Sequence, residues 1–283
     1  MLSEIMELQM TIAAIVVYVD FDEHAEDRIR VAAEIAGRFN SVLIGVAGWP
    51  LRRKLMVQNS VVDFEPGEEG RRRISTQLDQ LGETFRRCAG AKLRGVEWRS
   101  FTNLPNEVIA REARVADLVV LGRDLLPGDV YHTFDSGSII LATGRPVLIL
   151  PGETRHLQAS RVLIAWKDTR EARRAVRDAL PFLKEAESVH IAAVSPLELE
   201  ESVQEQIADV ARYLVHHRVA VSGQIVTTAP EAEGHVLLRF AKEQNADLIV
   251  AGAYGRTRLS EWVFGGVTRD LLMTSTIPCL FSN

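Results

Sequence analysis

Residues 244–252 read QNADLIVAG, and residues 114–122 read RVADLVVLG. Each places Ala-Asp-Leu ahead of a short apolar run that stops at a glycine, Gly252 in one and Gly122 in the other. Such a run has the length of a buried strand, and its recurrence 130 residues away predicts a duplicated unit.

Working outward, the same order of blocks appears twice. IAAIVVYVD (12–20), DEHAEDRIRVAAEIAGRF (22–39) and SVLIGVAGW (41–49) read as strand, helix and strand. The helical reading rests on Ile29, Ala32, Ala33, Ile35 and Ala36, which recur at helical spacing. RVLIAWKDT (161–169), REARRAVRDALPFLKEA (170–186) and SVHIAAVSP (188–196) repeat that order about 147 residues later. Both copies close on a proline-led strand, GRPVLILP (144–151) and TIPCLFSN (276–283). The seam falls near Pro151 to Ser160, which predicts a first domain over 1–155 and a second over 156–283.

Strands alternating with helices imply a parallel sheet covered by helices on both faces, because parallel neighbours need a crossover. Continuous apolar strand cores agree with burial on both faces. The expected strands lie near 12–19, 42–47, 95–101, 117–121 and 146–150, then near 161–166, 188–194, 219–227, 247–251 and 277–281. Residues 50–73 have no counterpart in the second copy and read as a loop with an irregular helix.

Composition narrows the function. The 283 residues are 47% hydrophobic and 25% charged, as in an ordinary globular chain. The net charge of −5 lacks the basic excess that coating a nucleic acid requires, yet a local site can still hold a small anion. Cys88 and Cys279 have no CxxC spacing and read as reduced thiols, Cys279 in a buried strand. The N-terminal MLSEIMELQM has no basic leader region, and no apolar run reaches the length of a membrane span. The expected location is the cytoplasm. There is no Walker A motif, no GxGxxG after a strand, no GxSxG, and no histidine spacing suited to a metal.

In a sheet of this kind ligands bind beyond the carboxyl ends of the strands, where the strand order reverses. After the fourth strand of the second copy comes GAYGRTRLSEWVFGGVTRDLL (252–272). Gly252 and Gly255 follow the strand directly, and Gly265 and Gly266 precede a helical stretch with Val267 and Thr268. A glycine turn at a helix N-terminus offers free N–H groups to phosphate, with Arg256 and Arg258 adding charge. The plainer alternative is that these glycines only make turns.

This block resembles the G-x2-G-x9-G-(S/T) signature of the universal stress protein family. Gly252, Gly255 and Gly265 reproduce its spacing, and the repeated strand-helix pattern is similar to the family over nearly the whole chain, as a tandem two-domain member. The resemblance implies adenine-nucleotide alpha-hydrolase-like folds: two tandem open parallel five-stranded sheets of order 3-2-1-4-5. It implies that fifth strands pair between domains, giving an intramolecular pseudo-dimer, with a homodimer also open.

The resemblance also implies a nucleotide site in the second domain. Adenine would sit at the ends of the first two strands, near Ala165 and Val194, with Lys167 and Asp168 beside it; Lys167 would set an ammonium near an anionic ligand in place of the family's base or ribose contact, or be a plain solvated charge. Phosphates would sit on Gly252, Gly255, Arg256, Gly265, Gly266, Val267 and Thr268. Two positions depart from the pattern. Gly266 stands where the family has a hydroxyl residue, and Lys167 stands where its ATP-binding branch often has an aspartate. The first domain shows the reverse: Asp20 matches that aspartate, while Leu125 stands where the second glycine is expected.

The implied function is a stress-response protein that binds ATP or another adenine nucleotide and acts as a regulatory or signalling module, with Mg²⁺ left open. Two alternatives are a nucleotide-independent interaction, small-molecule or lipid-binding protein, and a slow ATP hydrolase. For hydrolysis only Asp168 and Asp270 offer a base or a metal-ligand pair.

Overall fold

The computed structural model describes residues 12–51, 53–57, 60–123, 134–195, 200–227, 232–253 and 266–283. The first half forms β1 (Ala14–Tyr18), α1 (Ala25–Phe39), β2 (Val42–Gly48), β3 (Arg53–Val57), β4 (Ser60–Phe64) and α2 (Glu68–Ala89). There follow β5 (Gly95–Phe101), α3 (Pro105–Glu112), β6 (Leu118–Gly122), α4 (Ser136–Thr143) and β7 (Val147–Leu150). The second half forms β8 (Arg161–Ala165), α5 (Arg170–Asp178), α6 (Leu180–Glu185), β9 (Ser188–Ser195), α7 (Glu200–His216) and β10 (Val221–Thr227). It ends with α8 (Glu233–Glu243), β11 (Leu248–Gly252), α9 (Gly266–Thr274) and β12 (Cys279–Ser282).

The chain divides into two compact units. The first comprises residues 13–143 and 152–156; the second comprises residues 144–151 and 157–283, with Ile12. Within the first unit the strand order is β5-β2-β1-β6, all parallel. Within the second it is β10-β9-β8-β11-β12-β7, parallel except for β7. Numbered by copy, these orders read 3-2-1-4 and 3-2-1-4-5, the latter followed by the fifth strand of the first copy. The expected grouping of five strands and five strands is thereby corrected to four and six. The closing strand of the first half, β7, runs antiparallel to β12, pairing Val147 with Phe281 and Ile149 with Cys279. All four residues of β7 are buried, so it needs apolar cover on both faces.

Residues 50–73 are also corrected. Among the described residues they hold the antiparallel hairpin β3–β4, followed by the start of α2. Leu-Met-Val and Ser-Val-Val on either side of a polar break favour two short strands over a helix.

The central strands of each sheet are buried from both sides. In β1, Ile15, Val16 and Val17 have no exposed surface, and in β11 the same holds for Leu248, Ile249 and Val250. Helix α1 covers the first sheet with Ala25, Ile29, Ala32, Ile35 and Ala36; α5 covers the second with Ala172, Ala175 and Val176. Cys279 is buried in β12 and Cys88 is half-buried in α2; the two form no disulfide. Among the described residues no helix is long and apolar enough to cross a membrane.

The repeated Ala-Asp-Leu has a structural reason. In the first unit, Oδ2 of Asp117 accepts the backbone N–H groups of Ala13 (2.9 Å) and Ala14 (3.1 Å). In the second, Oδ2 of Asp247 accepts from Ser160 and Oδ1 from Arg161, each at 2.8 Å. Each carboxylate ties the entry of its copy's fourth strand to the entry of the first. It satisfies two amides that have no ladder partner there.

Candidate functional site

In the second unit the strand order reverses between β8 and its neighbours β9 and β11. Ala165 is in register with Ala192 of β9 and Ala251 of β11, so the three strands end side by side. Ala165 and Trp166 are buried, Lys167 and Asp168 are exposed, and Val194 and Gly252 are half-buried. The backbone N–H of Trp166 extends the β8–β9 ladder to the Ala192 carbonyl at 2.8 Å.

Beyond β8 the chain turns into α5. Thr169 caps this helix, its hydroxyl accepting from the Ala172 N–H at 3.2 Å. A serine or threonine here meets one of the free amides of the first turn. Asp168 pairs with Arg173, and the buried Glu171 pairs with Arg170. Trp166 is only 7% exposed. Its Nε1 has no hydrogen-bond partner among the described residues.

Gly252 is fixed by packing. A Cβ there would overlap the backbone nitrogen of Ala172 and stand 2.7 Å from the carbonyl carbon of Glu171. The glycine lets the first turn of α5 lie directly against the end of β11. Gly266 differs: it opens α9, is exposed, and a Cβ on it would meet no atom of the described residues within 4 Å. Behind it Val267 is half-buried and Thr268 is buried. Helix α9 packs on α8 through Asp270, which fills the space beside Gly234. Gly255, Arg256 and Gly265, with Arg258, lie outside the described residues.

The corresponding corner of the first unit is closed. Asp20 follows β1, but its carboxylate is bound by Arg28, which reaches back from α1. Nη1 of Arg28 also donates to Asp22 at 3.3 Å, and Nε donates to the Tyr18 carbonyl at 3.0 Å. The guanidinium is 3% exposed. It lies against the end of β6: a Cβ on Gly122 would overlap its Nη1 and stand 3.2 Å from its Cζ. The neighbouring Tyr18 hydroxyl is fully buried, and that burial pushes its pKa above the ordinary phenol range. Leu125 lies outside the described residues.

Residues 159–282 match the universal stress protein family. That match lies within the second half of the chain. A universal stress protein from Archaeoglobus fulgidus is similar in structure over 95% of this chain and 96% of its own, with a TM-score of 0.71 at 16% identity. A functionally unknown protein from Pseudomonas aeruginosa is similar over 96% of this chain and 92% of its own, with a TM-score of 0.58 at 16% identity. At such identity these likenesses speak for the fold, which the universal stress protein structures share along almost the whole chain. No curated protein matches the sequence.

Set on the universal stress protein fold, Ala165, Lys167, Asp168, Val194 and Gly252 come together at the carboxyl edge of the second sheet, while Gly266, Val267 and Thr268 begin α9. Asp20 belongs to the closed corner of the first unit. Sequence reasoning passed over Arg28 and gave no role to Asp117 and Asp247. The signal for Arg28 was present, because it falls at the helical spacing of Ala25, Ile29 and Ala32, on the buried stripe of α1.

Proposed function

We propose that the second unit binds an adenine nucleotide at the carboxyl edge of its sheet, and that the protein acts in the stress response as a regulatory or signalling module through that bound state. The observation that carries the reading is the pairing of the Gly252, Gly255, Gly265 spacing with a family match confined to residues 159–282. The half that keeps the glycine spacing is the half the family recognises. The position of Gly266 at the start of α9, exposed among the described residues, supports it, since N–H groups of a first helical turn suit phosphate. The closed corner around Arg28 favours one nucleotide per chain rather than two.

Calorimetric titration of the full chain with ATP, ADP and AMP tests this reading. Saturable binding is expected for the wild type, weakened by Gly266→Glu, which places bulk and negative charge at the start of α9. Gly252 is unsuited as a control, because any side chain there meets the backbone of α5. Absence of heat and of any thermal shift at millimolar nucleotide removes the proposal.

A second reading is favoured by Gly252 itself: its small size is already required by packing against Ala172, so the glycine need not serve a ligand. On that reading the protein binds partners or another small molecule without nucleotide. Mass spectrometry of the natively purified protein separates the two by the molecule it retains.

A further inference from the structure

The two copies carry opposite charge at one corner of the fold. From Asp20 to Arg30 the first has five acids against two arginines. From Lys167 to Arg177 the second has five cations against two acids. Both windows open at the same point, just past the first strand of the copy, and run into the helix that follows. The chain as a whole carries −5, so the basic corner runs against the average composition.

The pairing inside each corner differs as well. In the first unit the acids Asp20 and Asp22 are met from within by Arg28. Counted from the same starting point, the place of Arg28 is taken in the second unit by Ala175, which is buried and offers no charge. The two acids of the second window are engaged by arginines of α5, Asp168 by Arg173 and Glu171 by Arg170. Lys167 is exposed and has no ion-pair partner among the described residues. The aspartate-arginine pair of one copy thus corresponds to a lysine alone in the other.

We infer that the second unit takes a ligand that presents an anionic oxygen group, a phosphate or a carboxylate, to Lys167 at the carboxyl end of β8. This rests on the nucleotide reading above and adds which residue reads the ligand's charge. Charge complementarity supplies the reason. Where the first unit answers its own acid internally, the second leaves a cation for the ligand to answer. Lys167 lies two residues past Ala165, which is in register with Ala251, and three residues before α5 begins, so it belongs to the strand ends and not to a helix face.

The test pairs a charged ligand with a neutral one. Adenosine and ATP are titrated into the full chain, as wild type, Lys167→Met and Gly266→Glu, with thermal melts to confirm folding of each variant. Because Lys167 is exposed, Lys167→Met is expected to fold normally. Lys167→Met is expected to weaken ATP about tenfold while leaving adenosine within about twofold, the loss of one charge-assisted hydrogen bond. If ATP binds Lys167→Met as it binds the wild type, while Gly266→Glu weakens it, the inference about Lys167 falls and the nucleotide reading stands. If adenosine and ATP weaken alike, Lys167 contributes shape and not charge, and the inference is again overturned. If the wild type binds neither ligand, both readings fall together.

Discussion

The guanidinium of Arg28 occupies the space that a side chain on Gly122 would need. The two residues are far apart in sequence, one on α1 and one at the end of β6, yet each explains the other. Gly122 leaves room for the guanidinium, and the guanidinium neutralises Asp20 and Asp22 beside it. Removing it by Arg28→Ala leaves the carboxylate of Asp20 without its partner. The expected loss is about 2–4 kcal/mol of unfolding free energy, read by urea denaturation. Combining it with Asp20→Asn should recover part of that loss; a double variant as unstable as the sum of the two singles would contradict this account.

Gly122→Ala and Gly252→Ala should differ in cost. At Gly122 the added methyl meets the end of a flexible side chain, whereas at Gly252 it meets the backbone of Ala172 and Glu171. A side chain can swing aside and a helix turn cannot. Overpacking typically costs about 1–3 kcal/mol, with Gly252→Ala expected at the upper end or beyond and Gly122→Ala near the lower. Thermal melts of the two variants side by side decide the order.

The paired aspartates make a finer distinction. Asp117 uses one oxygen for both of its amides, while Asp247 divides two amides between its two oxygens. An asparagine keeps a single acceptor oxygen. Asp117→Asn can therefore retain both bonds, and Asp247→Asn loses one and sets an NH₂ against an N–H. Asp247→Asn is expected to cost about 1–2 kcal/mol more than Asp117→Asn in denaturant unfolding.

Asp178 on α5 gives the fold a pH dependence of defined sign. Burial holds its carboxyl above the ordinary value near 3.8, against the opposing pull of the Ser282 hydroxyl at 2.8 Å and of Arg174, Arg177 and Arg145. A carboxyl raised in the folded state contributes stability that is complete below pH 3.8 and lost as pH rises through the folded value. Asp178→Asn, which keeps an acceptor for Ser282, should gain on the wild type as pH climbs from below 3.8 towards neutrality. Parallel denaturation curves at several pH values show whether the gap opens in that direction.

Most of the architecture was legible because strands buried on both faces announce themselves. The expected ranges for the ten repeated strands agree with β1, β2 and β5 to β12 to within two residues at each start. The hairpin β3–β4 escaped because strands of five residues beside a long charged helix leave little periodic signal. The candidate site was legible as positions along the edge of a sheet, since strand ends follow from strand cores. Its electrostatics were not. The acids Asp22, Glu23, Glu26 and Asp27 read as ordinary charge at a helix start, and only the fold shows that Arg28, among them, turns inward while Arg30 turns out to Glu26 and Asp27.

The placement of β7 bears on how this polypeptide can be divided in the laboratory. A cut at the seam suggested by the repeat, after residue 155, would separate β7 from β12 and strip one side from the strand Cys-Leu-Phe-Ser. The released half would carry an uncovered apolar border, the kind of surface through which strands recruit copies of themselves. Beginning the piece at Gly144 keeps β7 on β12, so the duplication visible in the sequence and the compact unit that holds its second copy do not start at the same residue.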